Sequence, residues 1–355
     1  MKIKNTFLIT GGCGFIGSAL IRHLLKEKEN IIINIDKISY ASNKNSIEIG
    51  DKHRYILIEE DINKPGLIIK TLKDYKPNYV VHLAAESHVD RSIDNPESFI
   101  VSNIMGTFNM LQSCYKYWKS LENRDAERFK FLYVSTDEVY GSIHDKNLFF
   151  TEESNLKPNS PYAASKASGD ILVRSWSKTY NFPIITTNSS NNYGIWQFPE
   201  KLIPLVIKKC LNEEKIPVYG DGKQIRDWIN VEDNVAGIMT VLKNGKIGEK
   251  YNIGGDNEVT NIEIVNKICS ILDNIKPRKI GKYSELIEFV EDRPAHDYRY
   301  ALNINKIKNE TGWAPKINFN DGIKATINWY LDNQDWLFFE TQSRYDGSRL
   351  GNIKE

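Results

Sequence analysis

A tyrosine and a lysine four residues apart form a chemically informative pattern in this sequence. Tyr162 and Lys166 follow Ser160-Pro161 at the start of a predicted helix, so their side chains share one helix face. An ammonium group beside a phenol favours the phenolate and lowers the phenol pKa from its reference of about 10. Such a tyrosine can remove a hydroxyl proton while a hydride leaves the same carbon. Because this spacing is common by chance, the interpretation depends on the surrounding elements.

Two adjacent carboxylates follow a predicted strand that ends at Thr136. Asp137 and Glu138 would therefore lie at the C-terminal edge of a sheet. A pair of this kind can provide a general acid and a general base if the two environments separate the pKa values. For an isolated Asp-Glu pair, a solvated acidic loop is the better interpretation, so this pattern also needs support from the rest of the chain.

A glycine-rich turn lies where the first predicted strand meets the first predicted helix. Gly11, Gly14 and Gly17 give the spacing G-x-x-G-x-x-G, which permits a tight turn and a close approach of pyrophosphate to the helix N-terminus. Asp36 ends the second predicted strand nineteen residues after Gly17. A carboxylate there accepts hydrogen bonds from a ribose 2′-hydroxyl and repels a 2′-phosphate. We therefore predict NAD and not NADP, the alternative being a structural turn with an incidental aspartate.

The first 190 or so residues alternate short apolar runs with amphipathic stretches. The predicted strands are 3–10, 31–36, 53–59, 79–84, 129–136 and 183–189, and the predicted helices are 15–28, 65–75, 96–118 and 161–180. Nearly continuous apolar runs are typical of strands buried on both faces of a parallel sheet. The fold class predicted from this alternation is α/β, a Rossmann-type doubly wound parallel sheet.

The pattern changes after residue 198. The predicted helices there are 201–211, 231–242, 260–272, 303–310 and 321–332, and the predicted strands are 216–219 and 251–253. We interpret 1–198 as a Rossmann domain with the catalytic residues and 199–335 as a smaller mixed α/β region that mainly binds substrate. Residues 336–355 form a C-terminal tail without a structural prediction.

Composition and charge exclude several classes of function. The 355 residues include 47 Lys and Arg against 46 Asp and Glu, so no overall field attracts nucleic acid or an anionic membrane. The four cysteines contain no C-x-x-C pair, which favours reduced structural thiols over a metal site. No apolar run approaches the ~18–20 residues of a membrane span, and no signal peptide is evident. We expect a cytoplasmic protein without a metal.

Taken together, the glycine turn and the Tyr162–Lys166 pair make the sequence resemble the extended short-chain dehydrogenase/reductases. The Asp137-Glu138 pair narrows this resemblance to the nucleoside-diphosphate-glucose 4,6-dehydratases, with the dTDP-glucose branch as the nearest group. Further family blocks occur in order along nearly the whole chain: ESHVDRS at 86–92, SNNYG at 190–194, FPEKLIP at 198–204, QIRDW at 224–228 and EDRPAHD at 291–297. Two departures, Ile195-Trp196 for Pro-Tyr and Ala295 for glycine, lie near the expected substrate site.

The resemblance implies an internal redox cycle on dTDP-glucose. Tyr162 would take the proton of the sugar 4-hydroxyl as a hydride passes from C4 to NAD+. Thr136 would bond near that oxygen, and Lys166 would hold the nicotinamide ribose. Glu138 would then remove the C5 proton and Asp137 would protonate the departing 6-hydroxyl, before the hydride returns to C6. The products are a 4-keto-6-deoxy sugar nucleotide and water, and NAD stays bound.

Motifs and resemblance together predict the binding residues and an assembly. Cofactor contacts are expected from Gly11, Gly14, Phe15, Ile16, Gly17, Asp36, Asp61, Ile62, Ala84, Ser102, Tyr162, Lys166 and Asn192. Substrate contacts are expected from Ser87, Thr136, Asn191, Lys201, Leu202, Pro217, Tyr219, Arg226, Asn261, Arg293 and His296. Arginine suits bidentate contact with a diphosphate. The helices at 96–118 and 161–180 resemble those that pair between subunits in the family, which implies a homodimer.

Alternative functions remain open at this point. A UDP-, CDP- or GDP-glucose 4,6-dehydratase would share the chemistry and differ only in its base pocket. A sugar-nucleotide epimerase or decarboxylase on the same scaffold would not need the Asp-Glu pair. A non-catalytic nucleotide-binding sensor would need neither that pair nor Tyr162 and Lys166.

Overall fold

A computed structural model describes residues 5–48, 50–51, 53–341, 343–345, 347–348 and 350–351. Its strands are β1 Asn5–Thr10, β2 Asn30–Ile35, β3 Tyr55–Ile58, β4 Tyr79–His82, β5 Lys130–Thr136, β6 Ile184–Ser189, β7 Asn191–Tyr193, β8 Ile216–Tyr219, β9 Ile225–Asn230, β10 Lys250–Ile253, β11 Glu258–Thr260 and β12 Ile287–Val290. Its α-helices are α1 Phe15–Leu25, α2 Leu67–Tyr75, α3 Val89–Asp94, α4 Pro96–Phe99, α5 Gly106–Lys119, α6 Asn123–Arg128, α7 Pro161–Tyr180, α8 Leu202–Leu211, α9 Val231–Asn244, α10 Asn261–Ile275, α11 Asn305–Thr311 and α12 Phe319–Asp332.

The large sheet has seven parallel strands in the order β3-β2-β1-β4-β5-β6-β10. The chain begins in the middle at β1, extends to β3 on one side and then returns to build the other side. This reversal places a crevice beyond the C-terminal ends of β1 and β4, which is where such sheets bind ligands. The predicted α/β doubly wound sheet is confirmed.

The six strands predicted for the first half are present, although residues 3–4 lie outside the described residues. The helix predicted at 96–118 is wrong in one respect, because a π-helical segment at Ile100–Met105 separates α4 from α5. That segment contains Asn103, whose amide oxygen accepts from Glu86 N at 2.8 Å and whose Nδ2 donates to Ser165 Oγ at 2.8 Å. The altered turn accompanies a tie between the loop after β4 and the start of α7.

Residues after 198 contribute to both parts of the molecule. They form a two-stranded sheet, β12-β8, and together with the earlier strand β7 they form a three-stranded sheet in the order β11-β9-β7. They also supply β10, which pairs with β6, and α9, which packs against α1. The large sheet is therefore not confined to 1–198, and the boundary there stays a prediction. Strand β9 was missed because its sequence, IRDWIN, carries charge in a strand whose central residues are buried.

The start of the segment at 336–355 is part of the fold. Trp336–Glu340 forms a π-helical turn, and Trp336 and Leu337 are buried in the core of the second region. Within the described ranges, no helix has both the length and the apolar character to cross a membrane. The same ranges hold no group of three or more His, Cys, Asp or Glu arranged to bind a metal.

Candidate active site

Two adjoining clefts lie beyond the C-terminal edge of the large sheet. Every residue predicted to contact the cofactor lines the first cleft. Of the residues predicted to contact substrate, Ser87 and Thr136 line the first cleft and the other nine line the second. Six residues line both clefts: Glu138, Asn191, Asn192, Gln197, Glu200 and Lys201. The structure therefore brings the predicted site residues together, and their individual roles remain predictions.

Side chains at the glycine positions of the first turn would collide with neighbouring backbone. Gly11 has a φ of +73°, and a Cβ there would lie 2.7 Å from Ala84 Cα. A Cβ on Gly17 would lie 2.2 Å from the carbonyl oxygen of Gly11. Helix α1 follows Gly14, which provides no side-chain cap for its first N–H groups. Uncapped N–H groups at a helix start suit a pyrophosphate, so this cradle fits a dinucleotide.

The Asp36 carboxylate is buried at the end of β2 and lines the first cleft. It accepts hydrogen bonds from Cys13 N at 2.8 Å, Ile38 N at 2.8 Å and Ser42 Oγ at 3.0 Å. A carboxylate has about four acceptor positions, so roughly one remains for a ribose hydroxyl. Asp36 thus anchors its loop and fits the NAD selectivity predicted from sequence.

Replacing Asp36 by Ala should weaken NAD binding and reduce the preference for NAD over NADP. Loss of a hydrogen bond to a charged group lowers the affinity by roughly 10- to 100-fold. Competition between the two dinucleotides, measured by calorimetry after cofactor removal, checks the result. Asp36→Asn is the matched control for loop anchoring, because it keeps an acceptor and removes the charge. An unaltered preference in both variants would place the ribose contact elsewhere.

Tyr162 and Lys166 lie on the first turns of α7, and both line the first cleft. The helix is capped by Ser160, whose Oγ accepts from Ala163 N at 3.1 Å. Lys166 Nζ donates to Val134 O at 2.9 Å and lies 4.3 Å from the ring centre of Tyr133. Burial lowers the pKa of the Lys166 ammonium to about 8. This lysine is therefore anchored to β5 and loses its proton more readily than an ordinary lysine.

The expectation that Lys166 lowers the Tyr162 pKa is wrong for the free protein. Burial, followed by the charge of Glu138, raises the pKa of Tyr162, while a hydrogen bond with Thr136 opposes the rise. The Lys166 ammonium is directed to the carbonyl of Val134. Tyr162 is therefore a neutral phenol before ligands bind, and its activation requires a change in charge within the first cleft.

The Asp137-Glu138 pair lies on a short 3₁₀ turn directly after β5. Thr136 Oγ1 donates to Asp137 Oδ1 at 3.2 Å and accepts from Glu138 N at 3.3 Å, so it orients both residues. The Asp137 side chain is buried, and of the described residues none hydrogen-bonds its Oδ2. This turn places two carboxylates where the two clefts meet, although only Glu138 lines both.

The environments of the two carboxylates separate their pKa values. Burial and then the charge of Glu138 raise the pKa of Asp137 well above its ordinary value. Burial also raises the pKa of Glu138, but Arg293, Arg226 and Lys201 oppose that rise. Both effects on Asp137 favour its protonated form, as a general acid requires, and its role as the acid stays a prediction. The arrangement can provide an acid and a base side by side.

Two cations in the second cleft, Arg226 and Lys201, are fixed by neutral backbone groups. Arg226 donates to Ile225 O at 2.8 Å and Asp297 O at 3.0 Å, and its guanidinium carbon lies 4.3 Å from the ring centre of Tyr300. Lys201 Nζ donates to Ser87 O at 2.8 Å. These bonds use no carboxylate, so the two side chains can also pair with an anion, and the cleft suits a diphosphate.

Several residues of the site were missed by sequence reasoning. Asp90 Oδ1 accepts from Arg293 Nη1 at 3.1 Å, and its Oδ2 accepts from Tyr219 OH at 3.0 Å. Glu200 accepts from Tyr40 OH and from Arg91 Nε, each at 2.8 Å. Asp90 and Glu200 lie inside the family blocks at 86–92 and 198–204, which could have indicated them. Tyr345 and Leu350 also line the second cleft, and their segment offered no sequence signal.

The two departures from the family pattern have different surroundings. Trp196 lines neither cleft among the described residues and packs its ring against Trp329 and Trp336, at centroid distances of 4.6 and 5.3 Å. Its neighbour Gln197 lines both clefts, so the expected place of Ile195-Trp196 near the substrate stays a prediction. Ala295 precedes His296 of the second cleft and has a φ of +51°, a backbone conformation that favours glycine.

A doubly wound sheet with a glycine cradle, an acidic residue after its second strand and a Tyr–Lys pair in the same cleft defines an extended short-chain dehydrogenase/reductase. A family model described as GDP-mannose 4,6 dehydratase matches residues 8–326. The dTDP-glucose 4,6-dehydratase of Neisseria meningitidis is 47% identical over 351 residues, which cover 98% of this chain and 99% of that protein. The chain belongs to the dTDP-glucose 4,6-dehydratase family.

Solved structures agree with this assignment. The dTDP-glucose 4,6-dehydratase of Bacillus anthracis, solved in complex with NAD, is 41% identical with a TM-score of 0.82, covering 94% of this chain and 98% of that one. The enzyme DesIV of Streptomyces venezuelae, solved with NAD bound, is 39% identical with a TM-score of 0.84, covering 93% and 98%. Both are similar over nearly the whole of each chain.

Proposed function

We propose that this protein converts dTDP-glucose into dTDP-4-keto-6-deoxyglucose and water, with NAD as its resident cofactor. The proposal rests on the position of the Tyr–Lys pair beside the Asp–Glu pair. Tyr162 and Lys166 lie in the first cleft, and the Asp137-Glu138 pair with separated pKa values lies where that cleft joins the second. An epimerase or decarboxylase on this fold has no use for the pair, and the family relationship supports the dTDP-glucose branch.

The first cleft carries out oxidation at C4 of the glucose. When bound, NAD+ supplies the hydride acceptor and later returns the hydride to the substrate. Tyr162 takes the proton of the 4-hydroxyl as its phenolate, a form that the positive charge of bound NAD+ would favour, and Thr136 hydrogen-bonds near the same oxygen. Lys166 holds the nicotinamide ribose from its anchored position on Val134 O. Tyr162, Thr136 and Lys166 are themselves buried, so little protein-bound water is expected around the reacting carbon.

The pair after β5 carries out the elimination. The new ketone at C4 acidifies the C5 proton, which Glu138 removes as an ionised base. Asp137, kept protonated by burial and by the charge beside it, gives its proton to the departing 6-hydroxyl. One water leaves, and a double bond forms between C5 and C6. Return of the hydride to C6 and of a proton from Glu138 to C5 then completes the 4-keto-6-deoxy product.

Mass spectrometry with dTDP-glucose deuterated at C4 tests this function. Purified protein without added NAD should release one water per sugar and retain the deuterium at C6, which shows both the cycle and a tightly held cofactor. If the substrate is unchanged, the assay is repeated with NAD and then with UDP-, CDP- and GDP-glucose. Turnover of another nucleotide sugar would overturn the dTDP preference, and inertness in all assays would overturn the dehydratase proposal.

We infer that the protein forms a homodimer through α5, α7 and the π-helical segment at Ile100–Met105. That segment packs against α7 and exposes Ile100, Val101 and Met105 by 45–47%. Helix α7 itself exposes 60% of Ile171. Large apolar side chains exposed on neighbouring helices are typical of an interface, and a second copy of the chain would cover them.

Substitution of Ile171 by Glu should convert the dimer to a monomer. A charge buried against the apolar side chains of a partner costs several kcal/mol, so dissociation at micromolar concentration is expected. Light scattering coupled to size-exclusion chromatography measures the change. Ile280→Glu is the matched control, because Ile280 is 82% exposed and lies away from these helices. A dimer that persists in Ile171→Glu, or a wild-type monomer, would refute this interface.

We further infer a division of labour and a location. Residues 1–198 mainly hold the cofactor and catalytic groups, while 199–335 mainly hold the nucleotide sugar. The clefts support this division, because the first cleft is lined predominantly by the earlier residues and the second is lined largely by the later ones. A cytoplasmic location is inferred from the four cysteines, which are free and buried.

A further inference from the structure

Asp170 is a buried acidic residue outside the two clefts, one helical turn beyond Lys166 on α7. Only 4% of its surface is exposed, and it lines neither cleft. Its Oδ2 accepts from Asn188 Nδ2 at 3.2 Å and lies 3.8 Å from Lys250 Nζ. A buried carboxylate needs such partners, because an isolated one is strongly destabilising. Nothing in the mechanism above uses this group.

Asn188 connects Asp170 to the strand that carries the catalytic carboxylates. The Asn188 amide nitrogen donates to Thr136 O at 3.0 Å as well as to the Asp170 carboxylate. Thr136 in turn bonds Asp137 and the backbone of Glu138. Asp170 is therefore one bonded residue away from the end of β5, on which the acid and base depend.

The groups facing Lys166 come from three elements. Strand β5 provides the carbonyl of Val134 and the ring of Tyr133, which are neutral. Strand β4 provides His82, whose pKa burial and the Lys166 charge lower to about 3, so this ring is also neutral. Helix α7 provides Asp170, whose charge opposes the effect of burial on Lys166. Of these groups, Asp170 is the one whose charge favours the protonated form of Lys166, and it lies four residues along the same helix.

The groups facing Asp170 oppose the effect of burial on its carboxylate. Lys250 approaches from β10, and Asn188 provides a hydrogen bond from β6. Tyr140 and Tyr133 also face it, and burial raises the pKa of both phenols well above the ordinary value, so they add no charge. Burial raises the pKa of Asp170 above its ordinary value, and Lys250, Asn188 and Lys166 oppose that rise.

We propose that Asp170 is a positioning residue that keeps Lys166 charged and steadies the end of β5, with Lys250 as its counter-ion. The three residues of α7 then form one row, Tyr162, Lys166 and Asp170, at intervals of four along the same helix face. Lys250 reaches this row from β10, on the later part of the chain, so both regions contribute to the charge of the catalytic lysine. This inference rests on the proposed function.

The pH profile of C4 oxidation in Asp170→Asn tests the proposal. The substitution keeps the shape and an acceptor and removes the charge. Rapid mixing with dTDP-glucose, followed by the near-ultraviolet absorbance of NADH, reports the oxidation step. Lys166 should lose its proton at lower pH, so the alkaline limb should move down by roughly one pH unit. The rate should be nearly normal on the acid side and about tenfold lower above the new limb.

Controls separate the charge effect from a loss of packing. Lys250→Met should move the same limb in the same direction by less, since Asp170 loses its counter-ion, and this variant carries the test if Asp170→Asn does not fold. Asp233→Asn removes another buried carboxylate, which accepts from the backbone of residues 316 and 317, and should leave the limb unmoved.

The outcomes distinguish this inference from the proposed function. A folded Asp170→Asn protein whose rate falls equally at all pH values, with the alkaline limb unmoved, would show a structural role only and overturn the inference. Wild-type protein that forms no NADH with any glucose nucleotide would instead overturn the proposed function.

Discussion

Tyr162→Phe should reduce the rate of C4 oxidation by roughly 10²- to 10⁴-fold, the usual contribution of a positioned acid or base. The substitution removes the hydroxyl that is proposed to take the 4-hydroxyl proton. It keeps the aromatic ring, whose centroid lies 6.2 Å from that of Phe99. Substrate binding should change little, because the proposed diphosphate contacts, Arg226 and Lys201, line the second cleft. Rapid mixing of wild-type and variant protein with dTDP-glucose, followed by NADH absorbance, measures the step directly.

Tyr140→Phe provides the matched control for this substitution. It removes another buried phenol hydroxyl, which donates to Asn252 Oδ1 at 2.9 Å and lies outside the described linings of the clefts. Oxidation should proceed at a nearly normal rate in this control. Unchanged turnover in Tyr162→Phe would remove Tyr162 as the base and leave a neighbouring group, such as Thr136, to relay the proton elsewhere.

Local patterns predicted the fold well where a strand and a turn were encoded by adjacent residues. The apolar runs of β1 and β2 and the glycines between β1 and α1 indicated a parallel sheet before any contact was known. The return of β10 to the edge of that sheet could not be predicted in the same way. Its pairing with β6 joins residues more than 60 positions apart, and a four-residue strand has no periodicity that names its partner.

The candidate site was predictable as a set of residues but not as an electrostatic environment. The Asp-Glu pair and the Tyr–Lys spacing identified the groups, and the structure brings them to adjoining clefts. The predicted downward shift of the Tyr162 pKa is wrong. Burial raises this pKa, and burial depends on packing from several elements; the Lys166 ammonium, in turn, is directed to Val134 O. Asp170 was overlooked for the same reason, since its role depends on Asn188 and Lys250, which are distant in sequence.

Glu138→Gln should permit C4 oxidation and stall the elimination. Glutamine cannot accept the C5 proton, and loss of a general base lowers a rate by roughly 10²- to 10⁴-fold. NADH should therefore form on the enzyme and persist, whereas in the wild type it is consumed. Stopped-flow absorbance and mass spectrometry of the released sugar nucleotide follow the two steps. Rapid product formation by this variant would exclude Glu138 as the base.

Asp137→Asn distinguishes the acid from the base within the same turn. This variant retains Glu138, so the C5 hydrogen should still exchange with deuterium from the solvent after oxidation, although water leaves slowly. Glu138→Gln should show neither exchange nor water loss, so exchange at C5 in Glu138→Gln but not in Asp137→Asn would reverse the two roles.

The same assignment fixes the sign of the pH dependence of elimination. The rate should fall at low pH as Glu138 gains a proton, and at high pH as Asp137 loses one, and the raised pKa of Asp137 extends the active range towards alkaline pH.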